Sequence, residues 1–439
     1  MNKLTGSIRF KKFEEKRQSI TFSKGIHIIY GESGTGKSDL LNSIQSLPTS
    51  KKVNYDLYFE QHKLKIYRIY QNPDHQIIAS TISNEITFSG ECDQLDPEEL
   101  ENIQKRGLSH LPDYIDPLMN PGYLSGGEKE LLNLITGLDL DPDVLLIDDG
   151  FSFLSDTNKK KCVQMLSDWI EACNGIVIWA TSEEKDLFYG DYTWVMSLDS
   201  FTISNSFSKR EYGDLNIPDG NLSLDIQGLS FQYQNSREIY SNFSISIDRV
   251  RSLGLYGENG SGKTTFAGLC FGDLIPSDGE IILKINDNAK LKIGYLDQFP
   301  ENLILLRTIK EQLDELKANQ MFDTSLYQTF KNRLLRFGIR WEKVKDVKGI
   351  DLPWAVLRIV LIVMFCHCRF DILILDEPTF GLGWDQRKRL RSFIRESMSN
   401  IHFIIVSHDK SFIHSICDNL IDFDILKLKH LGLGTKKET

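Results

Sequence analysis

The chain has 439 residues, 41% of them hydrophobic, enough for two sizeable buried cores. Its net charge of −10 argues against nucleic acid as the main partner. The longest apolar run, Ile359 to Cys366, falls far short of the about 20 residues that cross a bilayer, so no direct span is expected.

The first twenty residues are charged and lack an apolar core, which predicts no secretory leader. Seven cysteines without paired spacing fit a reducing cytoplasm. The first strong apolar run, Ile26 to Tyr30, predicts a strand. It leads into Gly31-Glu32-Ser33-Gly34-Thr35-Gly36-Lys37-Ser38, and a segment that can be helical follows. This is the context of a phosphate-binding loop. Its glycines turn backbone N–H groups toward phosphate oxygens, Lys37 reaches the β and γ phosphates, and the Ser38 hydroxyl can hold Mg²⁺.

Further along come Gln71, then Leu124-Ser125-Gly126-Gly127-Glu128, where Ser125 and the amides of Gly126 and Gly127 open a helix and present donors to an anion. The run Val144 to Asp148 predicts a strand that ends in an aspartate. Asp, Asn, Gly and Pro cluster from Ser206 to Asn221, a join too short to be a domain.

Beyond the join the pattern repeats. A strand from Leu253 to Tyr256 leads into Gly257-Glu258-Asn259-Gly260-Ser261-Gly262-Lys263-Thr264, with Thr265 next. Gly31 to Gly257 is an offset of 226, Gln71 to Gln298 of 227, and Asp148 to Asp376 of 228. The chain is thus two copies of one domain of roughly 215 residues. Cys366-His367-Cys368 could suggest a metal site, but a buried helix carrying small apolar thiols accounts for it.

Two phosphate loops, a glutamine after each, LSGGE and strands ending in aspartate resemble the ATP-binding cassette (ABC) ATPase family over nearly the whole chain. The resemblance implies an α/β fold of two tandem P-loop NTPase domains, 1–212 and 222–439. Each would be a RecA-like core with an antiparallel β subdomain and a helical subdomain. It implies ATP and Mg²⁺ as cofactors. Gly31, Ser33, Gly34, Gly36, Lys37, Ser38, Gly257, Asn259, Gly260, Gly262, Lys263, Thr264 and Thr265 would bind ATP, and Tyr233 would stack on adenine. Ser38, Thr264, Gln71, Gln298, Asp148 and Asp376 would serve Mg²⁺. Glu377, in Asp376-Glu377-Pro378, resembles the catalytic carboxylate, His408 the switch histidine, and Gln298 a third catalytic group. In this family two cassettes close head to tail. Ser125, Gly126, Gly127 and Glu128 would then cover the ATP held by the other half.

The departures fall in a pattern. In the first half Asp149 replaces the glutamate, Gly150 the proline and Ser182 the histidine. In the second half the signature position reads Leu352-Pro353-Trp354-Ala355-Val356, without a glycine pair. Under head-to-tail closure every defect falls in one composite site, and the other site keeps a full set.

The run Tyr70-Gln71-Asn72-Pro73-Asp74-His75-Gln76, continuing to Ile82, looks like the ATPase subunits of energy-coupling factor (ECF) importers. That subfamily implies integral membrane partners, a scaffold and a substrate-binding component. They would be contacted through Asn72 to Ser80 and Phe299 to Leu303, with the chain peripheral on the inner face of the cell membrane. An exporter ATPase, or a soluble twin cassette acting on ribosomes or DNA, is the alternative. Ribosome-acting twin cassettes usually have a long charged linker and two good signatures, and this chain has neither. Chromosome-type cassettes need a long coiled coil, for which Gln298 to Leu352 leaves no room.

Overall fold

Every residue of Gly25–Tyr30, Val144–Asp148 and Ile176–Thr181 is buried, as parallel strands covered on both faces require. The structure is a computed structural model, and it describes residues 3–10, 17–49, 55–60, 64–154, 156–204, 210–233, 238–258, 260–299, 303–304 and 306–425. By internal packing the chain divides into Met1–Ser208 and Lys209–Thr439.

In the first unit the central sheet has six strands. They run in the order Ile66–Ile69, Val144–Asp148, Ile176–Thr181, Gly25–Tyr30, Tyr192–Met196, Phe201–Ile203. All pairs are parallel except the last, which is antiparallel. A second, antiparallel sheet places Leu4–Phe10 between Gln18–Phe22 and Tyr55–Phe59. Its inward residues Leu4, Ile8, Phe22 and Phe59 share one core with Leu40 and Leu41 of the helix Lys37–Ile44 and with Val144 and Leu146. Three helices, Ile82–Cys92, Pro97–His110 and Gly126–Asp139, form a separate layer around Ile82, Ile86, Leu132 and Ile135. Side chains stop each at its start: Thr81, Asp96 and Ser125 accept N–H bonds of their first turns.

The second unit repeats the plan. Its parallel sheet runs Ile293–Leu296, Ile372–Asp376, His402–Ser407, Ser252–Tyr256, Asn419–Asp422. Its antiparallel sheet places Leu222–Gln232 between Glu238–Val250 and Asp278–Ile285. Ile309–Ala318, Tyr327–Arg336 and Trp354–Phe365 supply the helical layer. Apart from Arg358 the last of these is apolar all round, and it is almost wholly buried, which explains the long apolar run of the sequence. His367 Nδ1 lies 2.7 Å from the Val363 carbonyl oxygen, with Cys366 and Cys368 buried beside it. Among the described residues no cluster of potential ligands could hold a metal ion, and no helix is long and apolar enough to cross a membrane.

Of the join from Ser206 to Asn221, residues 206–209 lie outside the described residues. The remainder has no regular structure but is fixed to the second unit. The Tyr212 ring stacks on Trp384 at 4.6 Å, and Arg391 donates to the Gly213 carbonyl.

Candidate nucleotide and hydrolysis sites

The two glycine loops adopt one geometry. Gly36 and Gly262 sit at φ +96° and +102° and begin the helices Lys37–Ile44 and Lys263–Phe271, with no side chain capping either. The first-turn amides are therefore left for an anion. A tyrosine from the antiparallel sheet clamps each loop. Tyr55 Oη donates to the Gly36 carbonyl at 2.8 Å, and Tyr240 Oη to that of Gly262 at 2.7 Å. A Cβ on Gly36 would fall 1.5 Å from Tyr55 Oη, so the close approach itself demands glycine.

Each loop lysine curls onto its own loop. Lys37 Nζ donates to the Gly31 carbonyl at 2.7 Å and to Ser182 Oγ at 2.9 Å. Lys263 Nζ donates to the Gly257 and Glu258 carbonyls at 2.7 and 2.9 Å. Ser33, Gly34, Gly257 and Gly260 lie on the same loops, whereas Asn259 is outside the described residues. Tyr233 is 42% exposed, and its hydroxyl lies 3.2 Å from Thr265 Oγ1, so the ring is presented beside the second loop.

Asp148 and Asp376 end buried strands next to the strands that precede Gln71 and Gln298. The residue after each aspartate is held in the left-handed region, Asp149 at φ +48° and Glu377 at φ +47°. Such strain is kept only where surrounding contacts fix it. Asp149 Oδ1 accepts the Ser182 N–H at 2.9 Å, and Glu377 Oε1 accepts the His408 N–H at 2.9 Å. The same backbone bond thus links 149 to 182 and 377 to 408, as the repeat offset predicts.

What the side chains add differs. Glu377 Oε2 also accepts the Ser407 hydroxyl at 3.0 Å and lies 3.0 Å from His408 Nδ1. Burial alone would raise its pKa, but His408, Lys263 and Ser407 outweigh burial and hold it below the ordinary carboxylate value. Asp149 has only the Ser182 hydroxyl, at 3.4 Å, and burial raises its pKa against the pull of Lys37. Asp376 is pushed up to about 7 by burial and by the neighbouring Glu377 charge, against Thr264 and Lys263. Its Oδ1 is buried with no partner in hydrogen-bonding geometry. A buried orphan carboxylate oxygen near a threonine hydroxyl suits a hard divalent cation, so the second site fits Mg²⁺.

Ser125 and Glu128 form a reciprocal capping box at the start of Gly126–Asp139. Ser125 N–H reaches Glu128 Oε2 at 2.8 Å, and Glu128 N–H reaches Ser125 Oγ. The helix start at Ser125, Gly126 and Gly127 is intact. At the corresponding place Pro353 precedes Trp354–Phe365 with no side-chain cap. The Trp354 ring there packs on Phe299 and Phe380.

Two residues of these sites escaped the sequence reading. Arg358 is 2% exposed and donates to the Glu377 carbonyl and, at 2.6 Å, to that of Gln298. Arg68 is buried and ion-paired with Asp148. A lone arginine in the apolar strand Ile66–Ile69, three residues before Gln71, was the available signal.

A model of the family described as ABC transporter matches residues 16–152 and 240–380. The chain is 25% identical to "Putative ABC transporter ATP-binding protein" of Bacillus thuringiensis subsp. konkukian, over 90% of this chain and 84% of that protein. It is 22% identical to "Putative HMP/thiamine import ATP-binding protein YkoD" of Bacillus subtilis, over 80% of this chain and 73% of that protein. Among solved structures, "Model of ribosome-bound archaeal Pelota and ABCE1" aligns with a TM-score of 0.63 at 18% identity, covering 91% of this chain and 72% of that one.

Proposed function

We propose that this chain, which belongs to the ABC transporter family, is the paired ATPase of an ECF-type importer, hydrolysing mainly one of the two ATP it binds. As a member of the family it is an ATP-hydrolysing enzyme that uses ATP with Mg²⁺. In our reading residues 1–212 and 222–439 are its two cassettes. They close head to tail, so that the loop Gly257 to Thr264, Glu377 and His408 work with Ser125 to Glu128.

The observation that carries the one-engine reading is the pair of carboxylates. Glu377 is long enough to meet Ser407, the His408 backbone and the His408 ring together. Held in this way, its carboxylate can orient a water and take its proton, and His408 can donate toward the phosphate oxygens. Lys263 would neutralise phosphate charge. Mg²⁺ would supply further charge neutralisation from Thr264 and Asp376, with Gln298 beside them. On the first side, Asp149 and Ser182 lack both the length and the imidazole.

The importer reading is supported by the segment after Gln71. Asn72 caps the short turn Pro73–His75, and this turn is fastened to the signature helix. Asn133 donates to the Pro73 carbonyl at 2.9 Å, and Lys129 pairs with Asp74 at 2.7 Å. A movement of Gly126–Asp139 therefore carries the segment with it, and Ile78 is left 64% exposed as a contact. The likeness to the Bacillus subtilis protein, whose name states HMP/thiamine import, agrees with this. The fold-level likeness to ABCE1 carries no argument about ribosomes. In the second unit Phe299 and Leu303 border 300–302, which lie outside the described residues.

A photo-reactive residue at Ile78 in membranes tests the coupling role. Cross-links to integral membrane subunits are expected. Cross-links confined to the surface near Asp191 would overturn it.

A further inference from the structure

The two strand-end aspartates live in opposite surroundings. Asp376 faces Tyr295, whose hydroxyl lies 3.3 Å from Oδ2. The Thr264 hydroxyl is beside the carboxylate, but among the described residues no donor meets Oδ1 in good hydrogen-bond geometry and no cation pairs with it. Asp148 has both oxygens engaged. Ser38 Oγ donates to Oδ1 at 2.9 Å, and the Arg68 guanidinium donates to Oδ2. The pair is almost sealed, the two side chains being 4% and 11% exposed.

Arg68 occupies the repeat position of Tyr295, an offset of 227. Its neighbours have changed with it. Arg68 Nη1 donates to Asn42 Oδ1 at 2.5 Å and approaches Gln45 Oε1 at 3.4 Å. By the loop offset of 226, Asn42 and Gln45 correspond to Gly268 and Phe271. In the second unit the Phe271 ring meets Tyr295 at 5.4 Å. One pocket is polar and cationic, the other aromatic. Three linked replacements make a built site for the guanidinium.

A divalent cation at the first site would need the Asp148 carboxylate and the Ser38 hydroxyl, and it would sit beside a permanent positive charge. These residues do not fit Mg²⁺ as those of the second site do. We propose that Arg68 stands in for the divalent cation at the first nucleotide site, so that the loop Gly31 to Ser38 takes ATP without Mg²⁺. This rests on the reading of that loop as a nucleotide site. It assigns the two sites different ligands, free ATP at the first and metal-bound ATP at the second. A site filled without metal can stay loaded while the second site turns over.

The test counts nucleotide and metal separately. The non-hydrolysable analogue AMP-PNP is measured by equilibrium dialysis in EDTA and in Mn²⁺, and bound Mn²⁺ is counted by electron paramagnetic resonance. Wild-type protein should keep one nucleotide per chain in EDTA, and bind two nucleotides but one Mn²⁺ in manganese. The metal-independent nucleotide should vanish in Lys37→Ala and survive in Lys263→Ala. Arg68→Met leaves the Asp148 charge uncompensated beside the phosphates, so it should lower nucleotide affinity in EDTA by about tenfold to a hundredfold and raise the Mn²⁺ count to two. If that variant fails to fold, the wild-type Mn²⁺ count decides alone. Two Mn²⁺ per wild-type chain, or no nucleotide retained in EDTA, would overturn the inference and leave the ATPase reading standing. No nucleotide at either loop under any condition would overturn both.

Discussion

His408 meets Glu377 twice, its backbone N–H at 2.9 Å from Oε1 and its ring Nδ1 at 3.0 Å from Oε2. Asp149 keeps the backbone contact with Ser182, and in place of an imidazole it has the Ser182 hydroxyl at 3.4 Å. Glu377→Gln should therefore cut steady-state ATP hydrolysis by about 10² to 10⁴, the usual cost of losing an acid/base group, and His408→Ala should be similarly severe. Asp149→Asn should cost less than about tenfold, because a carboxylate one methylene shorter would fall short of the attacking water, and catalytic positioning is sensitive at roughly the 1 Å level. Equal losses in Glu377→Gln and Asp149→Asn would refute the one-engine reading.

The proposed head-to-tail closure makes a further demand. Ser125 opens the only signature helix that keeps its Ser-Gly-Gly among the described residues. Ser125→Arg should phenocopy Glu377→Gln in turnover, although the two residues belong to different halves of the chain. The capping bond contributes about 1 kcal/mol, so the helix should survive the change. Circular dichroism should confirm the fold while ATPase assays show the loss. Full turnover in Ser125→Arg would separate the signature from the second loop.

Much of this was legible in the sequence, for local reasons. Each phosphate loop is contiguous, and its glycines, lysine and hydroxyl act through backbone geometry that spacing alone encodes. The strands ending at Asp148 and Asp376 are buried on both faces, so their apolar runs are unbroken. What could not be read depends on contacts between distant segments. Arg68 finds Asp148 across 80 residues, and Arg358 finds Gln298 across 60. The join shows in the sequence only as a lapse of apolar periodicity, yet Tyr212 docks on Trp384. The left-handed turns at Asp149 and Glu377 have no sequence mark, because neither residue is glycine.

Histidine burial gives the first unit a pH response. His27 is 1% exposed; Trp194 Nε1 donates to its Nδ1 at 3.3 Å, and its Nε2 lies 2.8 Å from the Ser23 carbonyl oxygen and 3.2 Å from the Ser23 nitrogen. Burial lowers its pKa to about 4, against the Ser23 carbonyl and Asp191. A depressed histidine contributes stability in full above the unfolded value of about 6.5, and the contribution is lost as pH falls through about 4. The difference corresponds to about 3 kcal/mol at most. His27→Phe should flatten this part of the profile, measured as the denaturation midpoint by circular dichroism. His367 and His402 respond in the same direction and should remain. An unchanged slope between pH 6.5 and 4 in His27→Phe would refute the assignment.

Arg358 should matter to turnover more than to nucleotide binding. Its guanidinium bridges the Gln298 and Glu377 carbonyls and lies over Trp354 and Phe380 at 5.5 and 5.2 Å. It thus helps to hold Glu377 in a left-handed conformation that costs about 1–3 kcal/mol when unsupported. The repeat position in the first unit is Glu130, which instead accepts the Phe153 N–H at 3.1 Å, so this brace is particular to the second site. Arg358→Met keeps the length and the apolar packing but frees both carbonyls. A carboxylate released by roughly 1 Å costs about a hundredfold in rate, so kcat should fall on that scale while ATP affinity changes by less than about threefold. Arg358→Lys can reach one carbonyl at a time and should recover part of kcat. If Arg358→Met instead unfolds the second unit, Trp354→Leu, which removes the ring under the guanidinium and leaves both hydrogen bonds, should lower kcat by a smaller factor in a folded protein. Wild-type kcat in a folded Arg358→Met protein would show that the brace is not needed for catalysis.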